Sequence, residues 1–119
     1  MNRLTDSEWK VMEALWSGEG RTLGSLLEAL APETGWSRTT LHTYLTRMTA
    51  KELVTAEGSP RRYRAAATRE ECARRQRQDL LERVYRGAAG QLVAAFVADG
   101  GLTAQERDEL RRLLDEMEV

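Results

Sequence analysis

Between Ser37 and Lys51 the chain carries five threonines (Thr39, Thr40, Thr43, Thr46 and Thr49), interleaved with Arg38, His42 and Arg47. Threonine is a mediocre helix former because its β-branch restricts χ1 against the preceding turn. Stabilisation therefore does not explain so many on one predicted helix. At helical spacing, Arg38, Thr39, His42, Thr43, Thr46 and Arg47 fall on an outward face, while Leu41, Tyr44, Leu45 and Met48 point inward. Short hydroxyl and methyl groups between guanidinium groups suit base edges, thymine methyls and phosphates. Ser37 is the predicted cap, and a helix N-terminus adds amides that can meet a phosphate. A second cluster, Arg61, Arg62 and Arg64, lies at and just after the turn Gly58-Ser59-Pro60. A basic hairpin tip there would touch the phosphate backbone or the minor groove. A solvated Thr-rich helix and a tip kept basic for solubility are the plainer readings of each feature alone. Together the two favour double-stranded DNA.

Other chemistry has little to work with. His42 and Cys72 are the only His and the only Cys, which excludes an intramolecular disulfide framework and an ordinary Cys/His zinc site within one chain. No carboxylate lies on the helical neighbours of His42, so it reads as an exposed or phosphate-contacting residue. Cys72 follows Glu70 and Glu71, acids that raise a thiol pKa, and reads as a helix residue without a redox role. Gly87, Gly90, Gly100 and Gly101 sit at helix joints and form no phosphate-cradling loop. Trp9, Trp16 and Trp36 are expected to be core or interface anchors. No catalytic constellation, cofactor site or metal site is expected.

The elements that must position these residues are legible from caps and periodicity. Thr5-Asp6-Ser7-Glu8, Thr68-Arg69-Glu70-Glu71 and Thr103-Ala104-Gln105-Glu106 each set a hydroxyl three residues before a carboxylate, the spacing of a capping box. The first box predicts a helix carrying Trp9, Met12, Leu15 and Trp16 to about Ser17. Thr22 caps a short second helix ending near Pro32, and Ser37 caps the third. Leu53–Ala56 and Arg61–Ala65 then read as two short extended runs around a turn. Helix, helix, helix, hairpin is the chain order of a winged helix-turn-helix. Three further helices are expected over Arg69 to about Arg86, around Gln91–Ala98, and over Ala104–Met117. The expected fold is mainly α with a small β wing. Residues 1–68 would form the DNA-binding domain and 69–119 a helical dimerisation region.

Composition agrees with this division. A chain of 119 residues, 41% hydrophobic and 31% charged, is a folded unit of about one domain. It shows no apolar run of the roughly 18–20 residues that span a bilayer. Nor does its N-terminus show an apolar segment of signal-peptide type, so the cytoplasm is the expected compartment and no membrane partner is expected. The net charge of −1 hides an asymmetry: Trp36–Arg69 holds seven basic and two acidic residues, or +5, while Glu70–Val119 holds eight Arg and eleven acids, or −3. A basic segment on a neutral chain points to an anionic partner. In the second half, Leu80, Leu81, Val84 and Tyr85, then Leu92, Val93, Phe96 and Val97, then Leu110, Leu113, Leu114 and Met117 form apolar stripes. About fifty residues build only a thin core. A second copy of the chain would satisfy the stripes, as would packing on the N-terminal domain; two-fold dimers are the commoner solution.

Taken together, the strings TDSEWKVMEALW, TGWSRTTLHTYLTRMTAKELV and YRGAAGQLVAAFVADGGLTAQERDELRRLL resemble the BlaI/MecI/CopY family of bacterial repressors over nearly the whole chain. The resemblance implies a homodimer on a double-stranded DNA operator with inverted-repeat symmetry, held by Leu81, Val84, Leu92, Val93, Phe96, Leu110, Leu113 and Leu114. It implies DNA contacts from Ser37, Arg38, Thr39, Thr40, His42, Thr43 and Arg47, with Arg61 and Arg62 on the wing. Several members carry Lys or Arg at the places of Thr39 and His42, which implies a different operator here. In the β-lactam-responsive members a sensor-protease system triggers cutting at an Asn-Phe bond. The matching bond is Ala95-Phe96, with the Phe kept and the Asn replaced. The copper-responsive branch carries a C-terminal Cys motif that this chain lacks. The rival reading is a winged-helix module whose basic face meets an acidic protein without specific DNA binding.

Overall fold

The computed structural model describes residues 4–117. In chain order these form α1 (Asp6–Trp16), α2 (Leu23–Thr34), α3 (Arg38–Ala50), β1 (Val54–Glu57), β2 (Arg62–Ala65), α4 (Arg69–Tyr85), α5 (Ala89–Ala98) and α6 (Ala104–Glu116). The described residues are mainly helical with one two-stranded antiparallel sheet, as expected. Two compact units divide it, the first ending at Arg77 and the second beginning at Gln78.

In the first unit, α1, α2 and α3 enclose one core. Val11, Met12, Leu26, Leu41, Leu45, Met48 and Leu53 are fully buried there, and Trp9, Trp16, Trp36 and Tyr44 pack half-buried around them. The three tryptophans are thus core-edge residues. Each helix starts where a hydroxyl takes an orphan amide. Thr5 Oγ1 accepts from the Glu8 amide at 3.2 Å while Glu8 Oε1 accepts from the Thr5 amide at 3.0 Å, a complete capping box. Thr22 caps α2 through the Ser25 amide at 3.2 Å. That helix runs two residues past Pro32, to Thr34. A proline in the last turn gives up one hydrogen bond without breaking the helix, so its expected end was slightly early.

The hairpin pairs Val54 with Ala65, Thr55 with Arg64, Ala56 with Tyr63 and Glu57 with Arg62. Gly58, at φ +87°, lets the chain reverse at the tip. Arg21 extends this sheet as an isolated bridge to Tyr63, its amide donating to the Tyr63 carbonyl at 3.0 Å and the return bond measuring 2.7 Å. The wing is therefore anchored from the segment between α1 and α2. A single extended residue has no periodicity, and nothing in the sequence announced it.

The start of α4 belongs to the first unit. Thr68 Oγ1 accepts from the Glu71 amide at 3.1 Å. Trp16 Nε1 donates to the Ala67 carbonyl at 2.9 Å, the Arg69 guanidinium lies 4.8 Å over the Trp16 ring, and it pairs with Glu13. Cys72 is buried, and Gln76 donates to the Leu4 carbonyl at 3.1 Å.

In the second unit, the Thr103–Glu106 capping box is complete. By contrast, α5 begins at Ala88 with no side-chain cap. None of the residues of α5 or α6 is buried, and Val84, Val93, Phe96, Val97, Leu113, Leu114 and Met117 are exposed.

Candidate nucleic-acid interface

The connection between α2 and α3 sets the pose of α3. Gly35 ends α2 at φ +69°, a left-handed cap that costs glycine nothing. Thr34 Oγ1 then accepts from the Trp36 amide at 3.2 Å, and the Trp36 ring packs against Tyr44 with centroids 4.9 Å apart. Ser37 follows as the N-cap of α3, its Oγ accepting from the Thr40 amide at 3.2 Å and donating to Thr40 Oγ1 at 3.1 Å. Leu41, Leu45 and Met48 lock the opposite side of the helix into the core.

This leaves Ser37, Arg38, Thr39, His42, Thr43, Thr46 and Arg47 exposed along one side of α3, with Thr40 half-buried beneath the cap. The threonines are not equivalent. Thr43 Oγ1 donates to the Thr39 carbonyl at 3.0 Å and Thr46 Oγ1 to the His42 carbonyl at 2.9 Å. Their hydroxyl protons are thereby committed to the helix, so they present a methyl group and oxygen lone pairs outward. Among the described residues, Arg38, Arg47 and Arg61 make no ion pair, which leaves three exposed guanidinium groups available to an anion.

On the wing, Arg61 sits at the exposed tip. Arg62 Nη1 donates to the Gly20 carbonyl at 3.2 Å, which steadies one edge of its guanidinium. Arg64 lies 4.0 Å from Glu57 and packs on Gly20, where an added Cβ would come within 3.1 Å of Nε. Helix α3 and the basic hairpin thus belong to one compact unit with a shared core.

Behind α3 is an ion pair that the sequence does not display. Lys51 Nζ donates to Glu8 Oε2 at 2.7 Å, joining the end of α3 to the first turn of α1. Burial alone would raise the Glu8 carboxyl. The hydrogen bond and charge of Lys51, with the Thr5 amide and hydroxyl, outweigh it and hold the pKa below the usual carboxylate value. A residue pair 43 positions apart leaves no local signal. Burial first, and Glu71 second, push the Cys72 thiol up, so it is a poor nucleophile. No group of three or more metal-ligating side chains occurs among the described residues. None of the described helices is long and apolar enough to cross a membrane.

The residues expected at the dimer contact lie on α4, α5 and α6. Val84, Val93, Phe96, Leu113 and Leu114 are exposed, and Leu81, Leu92 and Leu110 are half-exposed. In the Ala95-Phe96 pair Ala95 is half-buried and Phe96 is 54% exposed.

Helices α1–α3 with the β1–β2 hairpin make a winged helix-turn-helix that carries exposed Arg38, Arg47 and Arg61, which make no ion pair among the described residues. Residues 4–116 match the family model of the penicillinase repressor, and the chain belongs to that family of DNA-binding repressors, not to an enzyme family. It is 24% identical over 114 residues to the methicillin resistance regulatory protein MecI of Staphylococcus aureus, covering 94% of this chain and 93% of that one. It is also 24% identical over 116 residues to the penicillinase repressor of Bacillus licheniformis, covering 96% and 91%. Among solved structures it is similar to the PcaV transcriptional regulator of Streptomyces coelicolor, with a TM-score of 0.48 and 22% identity over 98% of this chain and 79% of that one.

Proposed function

We propose that this chain is a dimeric repressor that places α3 of each protomer in the major groove of an inverted-repeat operator and grips the flanking phosphates with its wing. The observation that carries this reading is the outward side of α3, where exposed arginines that make no ion pair among the described residues alternate with hydroxyls and one imidazole. Ser37, Arg38, Thr39, Thr40, His42 and Thr43 occupy its N-terminal half, the part of a recognition helix that reaches base edges. Arg47, Arg61 and Arg62 supply phosphate contacts. The exposed apolar residues of α4, α5 and α6 support a two-fold dimer, since Phe96 and its neighbours otherwise face water. Residues 1–68 would be the reading domain and 69–119 the dimerising one, working in the cytoplasm.

Membership of a family whose relatives are named for penicillinase and methicillin resistance supports a role in β-lactam-responsive control. Release would follow cutting at Ala95-Phe96 by a sensor-protease system, a step checked by N-terminal sequencing of fragments from β-lactam-treated cells. Hydroxyl-radical footprinting on the intergenic DNA upstream of the gene tests the binding mode. Two symmetric protected patches should appear with centres roughly 34–36 Å apart along the duplex. A single patch, or none, overturns the dimeric operator reading.

A further inference from the structure

We infer that Arg64 is a further phosphate-contacting residue of the wing, and that Gly20, between α1 and α2, is the positioning residue that holds its side chain. This rests on the reading of the wing as a backbone-gripping element, to which it adds two residues. β1 occupies one edge of β2, and Arg21 occupies the other through its two backbone bonds to Tyr63. Tyr63 is buried on the core side. Side chains alternate along a strand, so Arg62 and Arg64 share the opposite, exposed face.

Both arginines reach across Gly20. Arg62 Nη1 donates to the Gly20 carbonyl at 3.2 Å. The Arg64 side chain lies along Gly20 so closely that an added Cβ would stand 3.1 Å from its Nε and 3.2 Å from its Cγ and Cζ. A methyl group there forces Arg64 to move aside. Backbone conformation does not account for this glycine: Gly35, Gly58, Gly87 and Gly100 have positive φ, and Gly20 does not. Around Gly18, Gly24 and Gly90 a Cβ would meet open space, so those positions do not share its crowding. What Gly20 supplies is room for Arg64.

Two guanidinium groups are thereby steadied on one face of the wing. They line an open depression together with Glu57, Gly58, Ser59 and Pro60. Glu57 is the acid of that depression. Its side chain is 75% exposed and lies 4.0 Å from Arg64, which is 51% exposed. Water and salt weaken a pairing of that kind, so a DNA phosphate can take the Arg64 guanidinium from it. A free arginine side chain loses rotamer entropy when it binds, and holding it beforehand lowers that cost. Gly20 thus raises affinity without a contact of its own. Phosphate contacts carry no direct sequence information, so the gain is the same for every duplex.

The test is an anisotropy titration of the full chain against a labelled duplex of its upstream intergenic DNA and a scrambled duplex, over a range of salt concentrations. The proteins are wild type, Arg64→Ala, Gly20→Ala and the double variant, and circular dichroism checks that each stays folded. Arg64→Ala should weaken binding to both duplexes by the same factor. Its salt slope should flatten by about 1.8, for two phosphate contacts per dimer. Gly20→Ala keeps the charge but unseats the side chain. Its affinity for both duplexes should fall by about tenfold, the order of immobilising one long side chain on each of two wings, with the wild-type slope retained. In the Arg64→Ala background, Gly20→Ala should cost nothing more. A slope unmoved by Arg64→Ala overturns the phosphate contact. A Gly20→Ala loss that survives at full size in the double variant, or no loss at all, overturns the positioning role. Either result leaves the repressor reading standing. Equal wild-type binding to the two duplexes under every condition overturns that reading instead.

Discussion

At the scale of single residues, two charges near α3 do different work. Arg47 is exposed and makes no ion pair among the described residues, so its charge is available to phosphate. Arg47→Ala should weaken operator binding and flatten the salt slope by about 1.8, since a dimer loses two phosphate contacts, read from titrations at several salt concentrations. Lys51 is the converse case. Its ammonium satisfies the Glu8 carboxylate, whose side chain is 4% exposed. Lys51→Met strands that carboxylate and should cost about 2–3 kcal/mol, below the figure for a fully buried pair because Lys51 itself is partly in water. The pH dependence has a definite sign. The Glu8 pKa is lower folded than the ordinary 4.5, so its stabilisation is complete above that value and is lost as pH falls through the folded pKa. Urea unfolding of Lys51→Met and wild type should therefore differ most at neutral pH and converge in acid. A difference that grows in acid contradicts the assignment.

At the scale of elements, much was legible because helix signals are local. The Thr5, Thr22, Ser37 and Thr103 caps stand where the hydroxyls predicted them, and the inward side of α3 follows the three- and four-residue spacing of Leu41, Leu45 and Met48. What stayed hidden was non-local. The Arg21–Tyr63 bridge, the Glu8–Lys51 pair and the packing of Arg69 over Trp16 each join residues far apart in sequence. The same holds within the site. Its exposed face was readable, but the inward turn of the Thr43 and Thr46 hydroxyls is a rotamer choice that the sequence does not display. Leu45 is fully buried, so Leu45→Ala should cost about 2–5 kcal/mol and loosen α3 from the core. Glu52 follows the cap of α3 at φ +64°, where glycine carries no Cβ penalty. Glu52→Gly should raise stability by about 0.5–1 kcal/mol in chemical denaturation. A loss of stability there would mean that the Glu52 side chain does more than its exposure suggests.

At the scale of the whole molecule, the reading depends on a partner for the apolar side chains of the second unit. Phe96 is 54% exposed, Val97 56% and Leu114 53%, values that are costly for a lone chain in water. If a second copy covers them, Phe96→Asp should give monomers in sedimentation velocity and lose most operator affinity, while its winged unit keeps its helical signal. A dimer that survives Phe96→Asp moves the interface elsewhere. The central claim, that α3 and the wing read a particular DNA sequence, is met most directly by anisotropy titration of the wild-type chain. The duplexes are its upstream intergenic DNA and a scrambled control, at two salt concentrations. A specific repressor should prefer the native duplex by about a thousandfold or more, with affinity falling steeply as salt rises. Equal, weak binding to both duplexes would contradict it and make the exposed side of α3 a surface for some other partner.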